Sequence, residues 1–579
     1  MPELFPSQAA VEVPFSNELF RILKMPRRTW TADELDQLAD EMTEILRMPH
    51  GEMRLRPLQA LALYELGLHR GLFGPLRVGI GKTLVSLLAP VVLFAARPLL
   101  LITADLVEKT ERDRRELGRH WDLPEHQRVM TYDWLGRAQA ADALEAYLPD
   151  VIVADEAHRV SNLKAAVTRR VRRFMHDHPE TIMVIMSGTL TKRSLHDFAH
   201  LVGWSLPPER SFVPRNYTDL EFWADALDER KGQTKRAEPG ALKVLCNEDE
   251  MKLWETDPRA AARSAFRRRM IETPGVVASY ESGCDATLTI NGVEKSVPRI
   301  VEEAFEILRN DWATPDGRTF ADGVRMRKYA LELSLDLYYV WDPPAPEYWM
   351  EARKAWHKFC RKVLSHSRSL DSEKQVAEAH DEQQELVEWQ RVKKDFKPNR
   401  VAVWLDDSAL EYCAAWSEKN AGIIWTQHVP FGERLAREAG LTYYGRRGLS
   451  ADGRYIEDHP AGQPLVASFG SNHRGKNLHE KWSKNLVTCF PANGLQAEQL
   501  IGRTHRDGQQ ADEVSFDVLT VCCEHVGSVW QAVEDCRYVE QLGGSPQKIL
   551  LAGLNVMTPD ELAQRIGQPR WNKWWRRAA

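Results

Sequence analysis

At 579 residues, 43% of them hydrophobic and 28% charged, the chain has the composition of folded protein and the length for several domains, which excludes a disordered or fibrous polypeptide. A net charge of −6 excludes a uniformly basic surface, so any contact with a polyanion has to come from a local basic lining. The eight cysteines are scattered apart from Cys522 and Cys523, with no CxxC pair and no zinc spacing, as expected of reduced thiols in the cytosol.

Met1-Pro2-Glu3 opens the chain without the basic stretch and apolar run of a secretory signal. The most apolar stretch, Leu84 to Ile102, is broken by Pro90, Arg97 and Pro98 and reads as a buried helix and strand. The expected location is cytoplasmic, with no membrane partner. Residues 1–50 predict a small helical lead-in, in which Thr31 to Arg47 has helical spacing. Across 51–207, apolar runs alternate with helical patterns. Leu99 to Ile102, Val151 to Ala154 and Thr181 to Met186 predict parallel strands buried on both faces. Residues 208–400 are charged and rich in Trp, Arg and Glu, and predict a mainly helical insertion. Within it, Asn291-Gly292 flanked by Thr287 to Ile290 and Val293 to Val297 predicts a hairpin, and Ser372 to Lys394 predicts long polar helices. The α/β texture returns over 401–545, with strands expected at Ile423 to Trp425, Pro464 to Ala467 and Asn485 to Thr488. Residues 546–579 form a short C-terminal extension, where Thr558-Pro559-Asp560-Glu561 predicts a capped helix start before a basic, Trp-rich tail, Arg570 to Arg577.

Two runs carry chemistry on their own. Val78-Gly79-Ile80-Gly81-Lys82-Thr83 opens a helix after a strand. Its glycines let backbone N–H groups face phosphate oxygens, Lys82 suits the β- and γ-phosphates, and the Thr83 hydroxyl suits Mg²⁺. Leu76 stands where the full phosphate-loop pattern has its first glycine. The second run, Val151 to His158, is a strand ending in two adjacent carboxylates. Asp155 suits Mg²⁺ through its water shell, and Glu156 suits orienting and deprotonating an attacking water. A plain glycine turn and an N-cap acid are the bland alternatives for each run taken alone.

Gly81-Lys82-Thr83 followed by Asp155-Glu156-Ala157-His158 resembles the superfamily 2 DEAH-box helicases and ATPases, and further segments fall in that family's order. Leu55-Arg56-Pro57-Leu58-Gln59 resembles the motif that reads adenine, implying nucleotide contact by Arg56 and Gln59. Ser187-Gly188-Thr189 resembles the motif that, with His158, couples hydrolysis to domain movement; Leu190 stands where the Swi/Snf-like branch has Pro. Gln499 to Gln509 fits QxxGRxHRxGQ, the sixth motif in its Swi/Snf-like form, and implies catalytic roles for Gln499, Arg503 and Arg506. The two arginines, three apart, are expected on one helical face, suited to stabilising charge on a transferring phosphoryl group. Arg474-Gly475-Lys476-Asn477-Leu478 resembles the segment that touches nucleotide and nucleic acid, implying such roles for Gly475 and Asn477 despite the departure at Lys476.

The resemblance implies an α/β fold of two RecA-like domains with parallel sheets, with the mainly helical insertion between them. It implies ATP and Mg²⁺ as cofactors, and an ATP hydrolase that translocates on double-stranded DNA. Single-stranded DNA or RNA is the alternative partner, and a strand-separating helicase or a non-catalytic nucleic-acid-binding module the alternative function. The aromatic segment Leu337 to Pro344 inside a compact motor is similar to phage-encoded members of the branch, which implies the host cytoplasm. Three features stay open at this stage. Arg263 and Arg267 to Arg269 suit either backbone phosphates or internal salt bridges. Leu337 to Trp341 suits either base stacking or packing between helices, and the Trp-rich tail either grips a partner or docks on its own domain. Neither the pathway served nor a protein partner is implied.

Overall fold

The computed structural model describes residues 11–76, 80–188, 194–228, 237–279, 284, 286–320, 322–367, 369–473, 475–544, 546–565 and 567–571. The chain divides into two compact units, one of residues 1–281 with 537–546, the other of 282–536 with 547–579. The stretch 208–400 is therefore shared: 208–281 belongs to the first unit and 282–400 to the second.

The first unit is built on five parallel strands, β1 (Leu72–Gly74), β2 (Pro98–Ile102), β3 (Arg128–Thr131), β4 (Val151–Asp155) and β5 (Ile182–Met186), in the order β1-β5-β4-β2-β3. Successive side chains go to opposite faces. Leu99, Leu101, Ile152, Ala154, Met183 and Ile185 enter one core, while Leu100, Ile102, Val151, Val153, Val184 and Met186 enter the other. Burial on both faces explains why these strands read as unbroken apolar runs. The lead-in helix Ala32–Leu46 starts at Thr31, whose hydroxyl and Glu34 form a capping box. Helix Pro57–His69 packs beside it and beside the helix Lys82–Val92 that leaves the phosphate loop.

Among the described residues the second unit holds nine strands: β6 (Thr287–Val293), β7 (Leu337–Trp341), β8 (Arg400–Trp404), β9 (Ile423–Thr426), β10 (Thr442–Tyr444), β11 (Leu465–Ser468), β12 (Lys484–Val487), β13 (Glu513–Leu519) and β14 (Gly553–Asn555). Seven form a parallel sheet in the order β10-β11-β9-β12-β13-β6-β14, and β7 pairs with β8 antiparallel. The same alternation recurs, with Ile423 and Trp425 in one core and Ile424, Val466 and Leu486 in the other.

Two expectations for the middle of the chain are corrected, and one open choice is settled. Asn291-Gly292 does not turn a hairpin but runs straight through β6. Asn291 Oδ1 accepts from Asn555 Nδ2 at 2.9 Å, and Asn291 Nδ2 donates to Asp517 Oδ1 at 3.2 Å, a polar ladder across three strands. A Cβ on Gly292 would sit 3.1 Å from Thr520 Cγ2 and 3.4 Å from the Val556 backbone, so the glycine permits close approach and not a reversal. Of the two readings of Leu337 to Trp341, packing holds: the segment is a strand with Tyr338 and Tyr339 buried, Tyr338 among residues of helices Arg299–Asp311 and Gly323–Leu333. Ser372 to Lys394 breaks into helices Glu373–Ala379 and Gln384–Val392. With helix Glu347–His366 they enclose a small core of their own around Trp349, Trp356, Leu386, Trp389 and Phe396. Thr558 and Glu561 form the expected capping box, and Trp571 is buried; the tail beyond it lies outside the described residues. Among the described residues, no helix is long and apolar enough to cross a membrane.

Candidate functional site

The order β1-β5-β4 brings three loops together at the C-terminal end of the first sheet, where ligands of parallel sheets bind. Gly74, Met186 and Asp155 are level in the register. The phosphate-loop strand and the acid strand are thus two strand spacings apart, about 10 Å, with β5 and its Ser187-Gly188 between them. Gly79 and Thr189 lie outside the described residues.

Gly81 adopts φ +84°, a left-handed conformation that ends the loop and lets Lys82 begin the helix. Lys82 is 8% exposed, its Nζ donating to the Leu76 carbonyl at 3.1 Å and standing 4.0 Å from Glu156 Oε1. Thr83 follows on the first turn, half-buried. Glu156 is itself left-handed, φ 55°, a costly conformation for a residue with a Cβ and one concentrated at functional sites. Its backbone N–H donates to Asp155 Oδ1 at 2.9 Å. Its Oε2 lies 3.2 Å from His158 Nδ1, which is 3.1 Å from Ser187 Oγ. Lysine, glutamate, histidine and serine therefore form one connected row across the three loops. Burial pushes the Asp155 carboxyl up to about 6, against the pull of the Lys82 ammonium.

Tyr132, which sequence reasoning did not single out, donates its hydroxyl to the Asp155 carbonyl at 2.7 Å. Burial first, then the charges of Asp155 and Glu156, raise its phenol well above the ordinary range. It is a neutral brace under the acid pair, and no local pattern around a lone tyrosine announces such a role.

Gln59 and Arg56 sit at the start of helix Pro57–His69. Gln59 Oε1 accepts from the Arg56 N–H at 2.9 Å, and Nε2 donates to the carbonyls of Ile80 at 2.8 Å and Gly81 at 3.3 Å. The amide expected to read a base also ties the phosphate loop to the helix. A Cβ on Gly81 would lie 2.4 Å from Gln59 Nε2. Gly81→Ala is therefore expected to cost about 1–2 kcal/mol of backbone strain and to dislodge Gln59. A melting curve should then show the variant less stable than the wild type by about that amount; an unchanged melting temperature would show that the loop relaxes without cost.

In the second unit, Gln499 lies on helix Gly494–Ile501, but Arg503 and Arg506 lie beyond its end. The expectation of two arginines on one helical face is corrected: Gly502 caps the helix, and the chain continues in turns. Arg503 is 3% exposed, with Nε on the Gln499 carbonyl at 2.9 Å and Nη1 on the Lys476 carbonyl at 2.9 Å. It closes the helix C-terminus and joins it to the 475–478 segment. Arg506 is half-buried, and its Nη1 donates to Asn477 Oδ1 at 2.6 Å. Asn477 is fixed in turn through its N–H to Glu457 Oε1 at 3.0 Å, and Gly475 takes φ 64°. Lys476 stands 3.7 Å from Glu457 Oε2. Arg474 lies outside the described residues.

The arginines of 263–269 are structural cement. Arg263 donates to the Leu227 carbonyl and to Gln541 Oε1, both at 2.7 Å. Arg268 pairs with Glu250 at 2.9 Å, and Arg269 donates to the Pro26 carbonyl at 2.8 Å. Neither a protein-family model nor a curated protein matches the chain, so what it does is read from these side chains and from the motifs that place them.

Proposed function

We infer that the protein is an ATP-dependent nucleic-acid motor, with double-stranded DNA as its track. The observation that carries this is the connected row Lys82–Glu156–His158–Ser187, beside the buried Asp155, at one end of a parallel sheet. A cation for phosphate oxygens, a hard carboxylate and a second acid in a strained conformation are what phosphoanhydride hydrolysis requires. The histidine and serine then link that acid to the next strand end, where a change at phosphate can be passed on. The strand order, with one strand between the lysine loop and the acid pair, supports a RecA-like assignment of the first unit.

The donor set fits Mg²⁺. Among the described residues no three His, Cys, Asp or Glu groups cluster into a metal cage. Magnesium in phosphate-transfer sites takes one or two protein oxygens and fills its shell with phosphate and water, and Asp155 with the Thr83 hydroxyl would supply those. The ion would neutralise charge developing on the phosphates. Glu156 orients water and accepts its proton, and Lys82 holds the terminal phosphates. Arg506 supplies a further positive charge during turnover, while Arg503 positions the segment that presents it.

The test is ATP turnover of the full chain with duplex DNA, single-stranded DNA and RNA of equal length. Stimulation by duplex DNA above the others is expected, with triplex displacement but no strand separation. Stimulation by RNA alone would overturn the choice of track, and strand separation would favour the helicase alternative.

A further inference from the structure

Helices Glu347–His366 and Gln384–Val392, with the segment 393–398, border a cleft of about 550 Å³ in the second unit. The ATP chemistry uses none of it. Its floor is aromatic: Trp349 meets Phe396 at 5.1 Å and 74°, and Trp389 at 5.2 Å and 67°. Its rim is cationic, with Lys393, Lys394 and Lys397 exposed. Arg353 lies over the Trp349 ring at 5.2 Å.

The charge around this cleft is one-sided. No acid occurs between Glu351 and Asp371, while Arg353, His357 and Arg361, and beside them Lys354, Lys358 and Lys362, recur every four residues on adjacent helix stripes. Between Arg391 and Arg400 five cations accompany one acid, Asp395, whose Oδ2 accepts from the Tyr348 hydroxyl at 3.4 Å. The acid on the cleft wall, Glu373, is engaged by Trp356 Nε1 at 2.6 Å and stands 3.9 Å from His357. Lys393, Lys394 and Lys397 have no carboxylate at ion-pair distance among the described residues. In a chain of net charge −6, a concentration of unpaired cations repels itself unless an outside anion balances it.

We propose that this cleft binds the phosphodiester backbone of a nucleic-acid strand, giving the motor a second grip. The inference rests on the reading of the protein as a nucleic-acid motor and names the partner of a surface that reading leaves unused. The floor rings are spent on one another, and Trp349 is 3% exposed, so no open ring face is offered to a base. What remains is a rim of lysines on flexible stems, suited to a row of phosphates and indifferent to sequence. Arg353 lies over the Trp349 indole, so the exposed lysines carry the contact with an outside anion.

The experiment uses the full chain and its variant K393Q/K394Q/K397Q, with K419Q/K484Q as a control for lost surface charge. Affinity for duplex DNA, single-stranded DNA and RNA is measured across a salt series. The cleft variant is expected to bind at least about tenfold more weakly near 0.1 M salt, with the slope of log K against log salt smaller by about 2–3. The control variant keeps wild-type affinity, and ATP turnover without nucleic acid is unchanged in both. The polymer showing the largest loss identifies the natural strand. Wild-type affinity and slope in the cleft variant would overturn the proposal. So would intact nucleic-acid binding with lost binding of polyglutamate, which assigns the cleft to an acidic protein. If the wild-type chain binds none of the three polymers, the motor reading falls first, a result distinct from failure of the cleft alone.

Discussion

Glu156→Gln is expected to leave ATP bound and to reduce its hydrolysis by roughly 10²–10⁴-fold, the usual contribution of a positioned general base. The substitution keeps the size and the hydrogen-bonding reach of the side chain while removing its ability to take a proton. Lys82 Nζ, 4.0 Å from Glu156 Oε1, keeps its bond to the Leu76 carbonyl, so the phosphate loop should not collapse. A glutamine at φ 55° bears the same backbone cost as the glutamate it replaces, so folding stability should change little. Single-turnover hydrolysis and nucleotide titration separate the two effects. Loss of ATP binding together with turnover would assign Glu156 to binding and not to chemistry.

The two arginines of the sixth motif are expected to part company. Arg506→Ala should lower kcat by about 10³-fold or more, as loss of a transition-state arginine does, with little change in melting temperature. Its guanidinium is half-buried, and its Nη1 donates to Asn477 Oδ1, so substitution opens no deep hole. Arg503→Ala should instead destabilise the second unit by about 3 kcal/mol, because two carbonyls lose a charged donor in a buried place. Its turnover defect should follow from disorder of the 475–478 segment, and Arg503→Lys should restore stability only in part, since an ammonium cannot span both carbonyls. Equal losses of kcat without loss of stability in both variants would contradict this division of labour.

Much of this was legible before any coordinates. Three strands of each sheet show as apolar runs because parallel strands covered on both faces bury nearly every side chain, whereas β3, β6 and β13 mix exposed and buried residues and do not. The residues proposed for catalysis stand out because the motifs they resemble, a phosphate loop, an acid pair and a helix-end arginine run, need particular residues at fixed offsets. What stayed hidden depends on contacts between residues far apart in sequence. Asn291-Gly292 has the composition of a turn, and only its neighbours Asp517, Thr520 and Asn555 explain why it lies inside a strand. The arginines around Phe266 look like a basic patch until Gln541 and Tyr538 arrive from the far end of the chain, and Arg263 lies over that tyrosine ring at 5.3 Å. The division of 208–400 between two units has the same origin, since composition does not record which sheet a helical segment covers. Tyr132 carries no pattern at all; its place is set by the acid strand above it.

The most direct test is phosphate release from ATP by the purified full chain, with and without duplex DNA, in the wild type and in Lys82→Ala. Turnover that rises with duplex DNA in the wild type and is absent from the variant is the expected result. Turnover that persists in Lys82→Ala, or a wild type that hydrolyses no ATP under either condition, would contradict the account.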